Sequence, residues 1–143
     1  MKLSRSAPLR GYAASPELVA ESIVRAALLE DIGHGGDLTT DAIVAPDRRA
    51  TASIVARRNG IVAGLPFAAL AFRLLDERVE ITARVGEGER TEAGTTVAEI
   101  SGRARAILTG ERTALNLLGR LSGIATATRN LVDLVAGTHA RIA

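Results

Sequence analysis

Thr109-Gly-Glu-Arg-Thr-Ala-Leu-Asn-Leu-Leu-Gly-Arg-Leu-Ser-Gly-Ile-Ala-Thr126 decides how the second half of this chain is read. Leu115, Leu118 and Leu121 recur at helical spacing, with Ile107 and Leu108 before them and Leu131 and Leu134 after. The pattern predicts helix from about Arg103 to Val135, split into two helices near Ser122-Gly123 and stopped by Gly137. On a helical wheel Arg112 falls between Leu108 and Leu115, inside an apolar stripe, and no Asp or Glu stands three or four residues away to pair with it. A guanidinium partly shielded from water needs an anion, either a distant carboxylate or a ligand.

Upstream of this run the periodicity is mixed. Ser15-Pro16-Glu17 is a helix start, with a capping hydroxyl, proline in the first turn and an acid at the positive end of the dipole. Val19, Ile23, Ala26 and Ala27 follow at helical spacing, and the glycines at 33, 35 and 36 end the helix near Asp31. Asp37-Leu-Thr-Thr-Asp41 reads as a short capped turn of helix or a loop. Residues 50–57 read as a strand, Asn59-Gly60 as the turn of a hairpin, and Ile61–Gly64 as a second short strand. Leu65 to about Asp76 is a helix with Pro66 in its first turn and Phe67, Leu70, Ala71, Leu74 and Leu75 on one face. Residues 78–85 and 95–100 are predicted strands around the Gly86-Glu-Gly88 turn, and Thr138–Ala143 begins a further strand. A strand that follows a helix-ending glycine normally feeds a continuing α/β array, so the chain is expected to be the front part of a longer α/β protein.

Composition narrows the function classes. The chain has 143 residues, 47% of them hydrophobic, which suits a packed core rather than disorder. Tyr12, Phe67 and Phe72 are its aromatics, so aliphatic side chains must fill the core. The net charge of +2 is modest, and the arginines are scattered without interleaved aromatics, so a nucleic-acid partner is not expected. Cysteine is absent, which removes disulfide and thiol chemistry and is compatible with a reducing cytoplasm. The first ten residues lack the apolar core of a secretory signal, residues 1–14 are expected to be a tail, and no segment has the roughly 20 apolar residues that span a bilayer, so no membrane partner is expected.

Asp31, His34 and Asp37 mimic a metal site, and their glycines could offer amides to an anion. The plainer reading is a glycine-terminated helix followed by a capping Asp, because a metal site needs more ligands held rigidly, and no metal ligand is assigned. His139 is read as solvent-facing or structural. The run Gly86–Ile100 suggests the hammerhead-like hairpin of biotinyl and lipoyl carriers. Those need a lysine at the turn, and Lys2 is the one lysine in the chain, so the carrier function is excluded. There is no Gly-x-Ser-x-Gly elbow, Walker sequence or dinucleotide glycine pattern. The residues alone describe an α+β domain with one unpaired arginine.

Leu29-Glu-Asp-Ile-Gly-His-Gly-Gly-Asp-Leu-Thr-Thr40, Gly60-Ile-Val-Ala-Gly64, Glu111-Arg-Thr-Ala-Leu-Asn116 and Leu121-Ser-Gly-Ile-Ala-Thr126 together resemble the nicotinate-nucleotide pyrophosphorylases (carboxylating), or quinolinate phosphoribosyltransferases. The resemblance runs in order from about residue 15 to the end. It implies an α+β N-terminal sandwich with an antiparallel sheet over residues 15–115, and over 116–143 the first helices and strand of an incomplete α/β barrel. It implies transfer of a phosphoribosyl group from phosphoribosyl pyrophosphate to quinolinate, with Mg²⁺ and loss of carbon dioxide, giving nicotinate mononucleotide for NAD synthesis. It also implies a homodimer or higher homo-oligomer with shared active sites. By the same resemblance Arg112 reaches a quinolinate carboxylate in the neighbouring subunit's site, with Thr113 and Asn116 as supporting residues. No catalytic residue is assigned within the chain. The family's substrate-binding lysines have no counterpart beyond Lys2, so the chain alone is expected to be inactive. The uncovered apolar face of residues 103–135 is expected to promote self-association. A molybdenum-transport-associated phosphoribosyltransferase homologue shares the Glu-Asp…Gly-Asp-Leu-Thr-Thr signature, and a non-catalytic interaction module is a third reading.

Overall fold

Strand β5 (Thr96–Arg103) lies between β1 (Arg49–Val55) and β3 (Glu80–Ala83) in a three-stranded antiparallel sheet. The computed structural model describes residues 16–33 and 35–142. The expected tail at 1–14 lies outside them. Alternation sets the faces of β1: Ala50, Ala52 and Ile54 turn inward while Thr51, Ser53 and Val55 are exposed. Central β5 buries Val97, Ala98, Ile100 and Gly102, as a strand with neighbours on both sides should.

Helices cover that sheet. α3 (Leu65–Leu75) buries Leu65, Ala68, Ala71 and Phe72, and packs on α4 (Ala104–Leu134). The contact is close because Gly110 carries no side chain: a Cβ there would stand 2.9 Å from the Phe72 ring. α3 starts at Gly64, whose φ of +100° favours glycine. The Glu87 carboxylate then accepts hydrogen bonds from the amides of Gly64 and Leu65, satisfying donors at the positive end of the helix. α1 (Pro16–Ile32) contacts both α3 and α4. Val24 and Leu28 are buried, whereas Val19 and Ile23 are nearly half exposed. The predicted face of α1 was therefore rotated. This helix is apolar on several sides, so the wheel does not choose among them and the neighbours do.

Four further expectations are corrected. Asn59-Gly60 does not close a hairpin between β1 and the next strand. β1 pairs with β5, and β2 (Gly60–Ile61) pairs instead with β4 (Arg90–Thr91) in a separate two-stranded sheet. The tight hairpin turn needs positive φ at both central residues, and neither Asn59 nor Gly60 has it. Asn59 Oδ1 accepts from the Ala93 amide at 2.9 Å and so tethers the crossing between the two sheets. The hammerhead-like pairing within residues 86–100 fails for the same reason, since β4 and β5 belong to different sheets.

The helix from 103 onward is also one helix rather than two: α4 runs unbroken for 31 residues, and position 115/116 falls inside it. Ser122 does not compete for its own backbone. Its hydroxyl accepts from the Ala63 amide at 3.0 Å and donates to the Ala63 carbonyl at 3.1 Å. One turn on, Thr126 Oγ1 accepts from the Ile61 amide at 2.8 Å. The two residues stitch the Gly60–Gly64 segment onto α4. Gly123 faces open space with ordinary helical backbone. Gly123→Ala is therefore expected to raise stability by about 0.5–1 kcal/mol, read as a higher urea midpoint. A lower midpoint would mean that the helix does need the glycine.

Finally, Gly137, at φ +83°, follows the end of α4, but Thr138–Ile142 form no strand. Thr138 folds onto the helix end instead, donating to the Val135 carbonyl at 2.8 Å and accepting from the Ala140 amide at 3.1 Å. A strand needs a partner ladder, and none lies beside this segment among the described residues.

Candidate functional site

α4 presents two faces. Ala104, Ala106, Ile107, Gly110, Thr113, Ala114 and Leu118 face the core. Leu108, Arg112, Leu115 and Asn116 lie on the other side and are exposed. The apolar stripe that the wheel placed around Arg112 is thus a solvent-side stripe. The arginine side chain is 77% exposed, and it has an in-chain partner: its Nη1 lies 3.3 Å from Asp31 Oδ1. The expected partial shielding is corrected, and of the two anions left open, a distant carboxylate and a ligand, the structure shows the distant carboxylate. A helical wheel reports which residues share a face but not which face is covered. The acid comes from 81 residues away, where spacing along one helix cannot find it.

α2 (Leu38–Ile43), which follows the end of α1 that carries Asp31, is tied to α4 at both ends. At its start, Asp37 caps the helix, with Oδ1 accepting from the Thr40 amide at 3.1 Å. Its Oδ2 accepts from the Thr109 hydroxyl of α4 at 2.8 Å. Hydrogen bonding from Thr40, and then from Thr109, holds the Asp37 carboxyl below its ordinary value. At the end of α2, Arg105 donates to Asp41 Oδ1 at 2.8 Å, to the Val44 carbonyl at 2.7 Å and to the Asp41 carbonyl at 2.9 Å. Asp37 is the capping residue the sequence indicated. The Arg105 clamp had no signal in the sequence, because its partners lie on another element.

One turn beyond Thr109 an open recess of about 670 Å³ is lined by Asp31, Asp37, Thr109, Glu111, Arg112 and Asn116, among others. Asn116 thus stands beside Arg112. Thr113 does not line the recess. It is 3% exposed on the core face, and its hydroxyl has no hydrogen-bond partner among the described residues. The recess holds three carboxylates against one guanidinium, so by itself it is not an anion trap. Among the described residues no three acids or histidines gather closely enough to hold a metal ion. His34 lies outside the described residues, and His139 is exposed in the segment after α4. No helix among the described residues is long and apolar enough to cross a membrane.

Comparison with known proteins accounts for this combination of fold and sequence. Residues 37–122 match the family described as "Quinolinate phosphoribosyl transferase, N-terminal domain". The chain is 44% identical over 121 residues to the probable nicotinate-nucleotide pyrophosphorylase [carboxylating] of Synechocystis, covering 85% of this chain and 40% of that one. It is 41% identical over 128 residues to the Mycobacterium leprae nicotinate-nucleotide pyrophosphorylase [carboxylating], covering 86% of this chain and 44% of the other. The solved nicotinate-nucleotide pyrophosphorylase of Francisella tularensis superposes with a TM-score of 0.79 at 36% identity, over 85% of this chain and 43% of that one. The chain thus spans about two fifths of the length of the relatives it matches. The matched segment holds α2, both sheets, α3 and the first part of α4, including Arg112, and on this evidence the chain belongs to the quinolinate phosphoribosyltransferase family, whose N-terminal domain it carries.

Proposed function

We propose that this chain serves phosphoribosyl transfer from phosphoribosyl pyrophosphate to quinolinate, with decarboxylation to nicotinate mononucleotide, and that its part is to present Arg112 to a quinolinate carboxylate in a site completed by a partner subunit. The single observation that carries this reading is Arg112 itself, a 77% exposed guanidinium on a rigid 31-residue helix, held by one in-chain contact of 3.3 Å. A guanidinium has five donors in a planar fork that matches a carboxylate. With the side chain 77% exposed, most of that fork is accessible to an external acceptor.

The charge around it supports a shared site. Quinolinate and phosphoribosyl pyrophosphate are polyanions, and the recess offers one cation among three carboxylates. The remaining positive charge must come from another surface. The exposed Leu108 and Leu115 that flank Arg112 are suited to contact such a surface, as expected of a homodimer or higher homo-oligomer. The described residues do not form a cage for Mg²⁺. In this proposal the ion comes with phosphoribosyl pyrophosphate and offsets the charge of the departing pyrophosphate. Arg112 contributes binding and orientation of the acceptor ring, holding it by a carboxylate so that its nitrogen faces the ribosyl carbon.

The test replaces the matching two fifths of the Synechocystis relative with residues 1–143 and measures nicotinate mononucleotide formed from quinolinate. The fusion is expected to turn over, and the 143-residue polypeptide alone to stay at background. A folded fusion without turnover would overturn the assignment. Turnover by the polypeptide alone would overturn the need for a completing surface.

A further inference from the structure

Asp31 stands where helix electrostatics disfavours it. It lies in the last turn of α1, next to Glu30, with no basic residue in that turn. The carboxyl end of a helix carries partial negative charge, so an acid there gains nothing from its own helix. Its side chain is nonetheless largely covered, at 21% exposure, with Oδ1 turned to Arg112 of α4. Of the ion pairs that residues of α4 make among the described residues, this one is the loosest. Arg105 holds Asp41 at 2.8 Å with two further bonds to carbonyls, and Asp133 holds Arg90 at 2.7 Å, against a single 3.3 Å contact here. Charge-assisted hydrogen bonds between such groups are usually about 2.7–2.9 Å long. Arg112 is therefore oriented by Asp31 without being tightly held.

We propose that Asp31 is a stand-in carboxylate: it occupies Arg112 until a carboxylate of an incoming pyridine dicarboxylate replaces it, and so sets the affinity the ligand attains. This rests on the reading of Arg112 as the carboxylate-binding cation. Exchange of one carboxylate for another leaves the guanidinium paired before and after binding, and keeps it extended toward the recess meanwhile. The ligand must out-compete Asp31, whose charge also repels it at short range. Both effects act in the same direction, so removing the Asp31 charge tightens carboxylate binding.

The fusion with the Synechocystis relative, which carries the completing surface, is labelled with ¹⁵N and titrated with pyridine-2,3-dicarboxylate while the Arg112 Nε–H resonance is followed, the resonance being assigned by its loss in Arg112→Lys. Asp31→Asn keeps the shape of the side chain and removes its charge. It is expected to lower Kd by about 1.5- to 5-fold at low salt, the range set by exposed ion pairs, and the gain should shrink near about 0.5 M salt. Glu111→Gln removes the same charge from the recess wall without touching the pair, and should shift Kd less. Equal or weaker binding by Asp31→Asn, or an equal gain from Glu111→Gln, overturns the stand-in role and leaves the Arg112 reading in place. No response of Arg112 in any of these proteins overturns that reading and this inference together. The misplaced charge at the end of α1 predicts that Asp31→Asn folds normally. If it and Asp31→Ser both unfold, Asp31 is a structural brace and the inference fails.

Discussion

Arg112→Ala, placed in the fusion with the Synechocystis relative, is expected to lower kcat/KM for quinolinate by about 10- to 150-fold. That range corresponds to the roughly 1.5–3 kcal/mol of a hydrogen bond to a charged group. The loss should fall mainly on KM for quinolinate, since in the proposed role the arginine binds and orients the acceptor and takes no part in the bond changes. KM for phosphoribosyl pyrophosphate should move little. Arg112→Lys keeps the charge and loses the fork, so it should recover only part of the affinity. The substitution should hardly affect folding. The side chain is 77% exposed, and an exposed ion pair contributes at most about 1 kcal/mol. Steady-state kinetics with each substrate varied in turn makes the measurement. A change in kcat/KM for quinolinate within about twofold would remove Arg112 from substrate binding and with it the observation that carries the proposed function.

Phe72→Ala is expected to cost about 3–5 kcal/mol of stability, as large aromatic truncations in well-packed cores do. Phe72 is 1% exposed and is one of the two largest fully buried side chains among the described residues, with Val24. It packs where α3 crosses α4, against a surface that Gly110 leaves open for its ring. Truncation leaves a void that rigid helix backbones on both sides cannot fill. Phe67, one turn earlier and only half-buried, provides the comparison, and Phe67→Ala should cost clearly less. Urea unfolding followed by circular dichroism measures both. A cost below about 1 kcal/mol for Phe72→Ala would mean that α3 and α4 do not pack as described.

Much of the architecture was legible because it rests on local chemistry. Pro16 at the start of α1, the glycines after Ile32, the Asp37 cap and Pro66 at the start of α3 act within a turn of themselves, and the structure places each element where these residues indicate. The errors share one cause. Asn59-Gly60 looks like a hairpin, Ser122-Gly123 like a helix break and Thr138–Ala143 like a strand when read by neighbours alone. In the fold, Asn59 is engaged by Ala93 and Ser122 by Ala63, and no partner ladder lies beside Thr138–Ile142 among the described residues. The face of α1 is misread in the same way, because Val19 and Ile23 satisfy a helical period without being covered, and the exposed Leu108 and Leu115 do not give Arg112 the shielding the wheel suggests.

The sequence by itself indicated most of the elements, through capping residues and strand alternation that act over short range, while its resemblance across several motifs, the Glu111-Arg-Thr-Ala-Leu-Asn116 run among them, carried the antiparallel sheet and the family. Only the tertiary structure decided which strands pair, that residues 104–134 form a single rod, and that Arg112 stands exposed with Asp31 at 3.3 Å. Those outcomes depend on contacts between groups tens of residues apart. Such contacts are set by how the elements close on a shared core, and no periodicity along the chain encodes them.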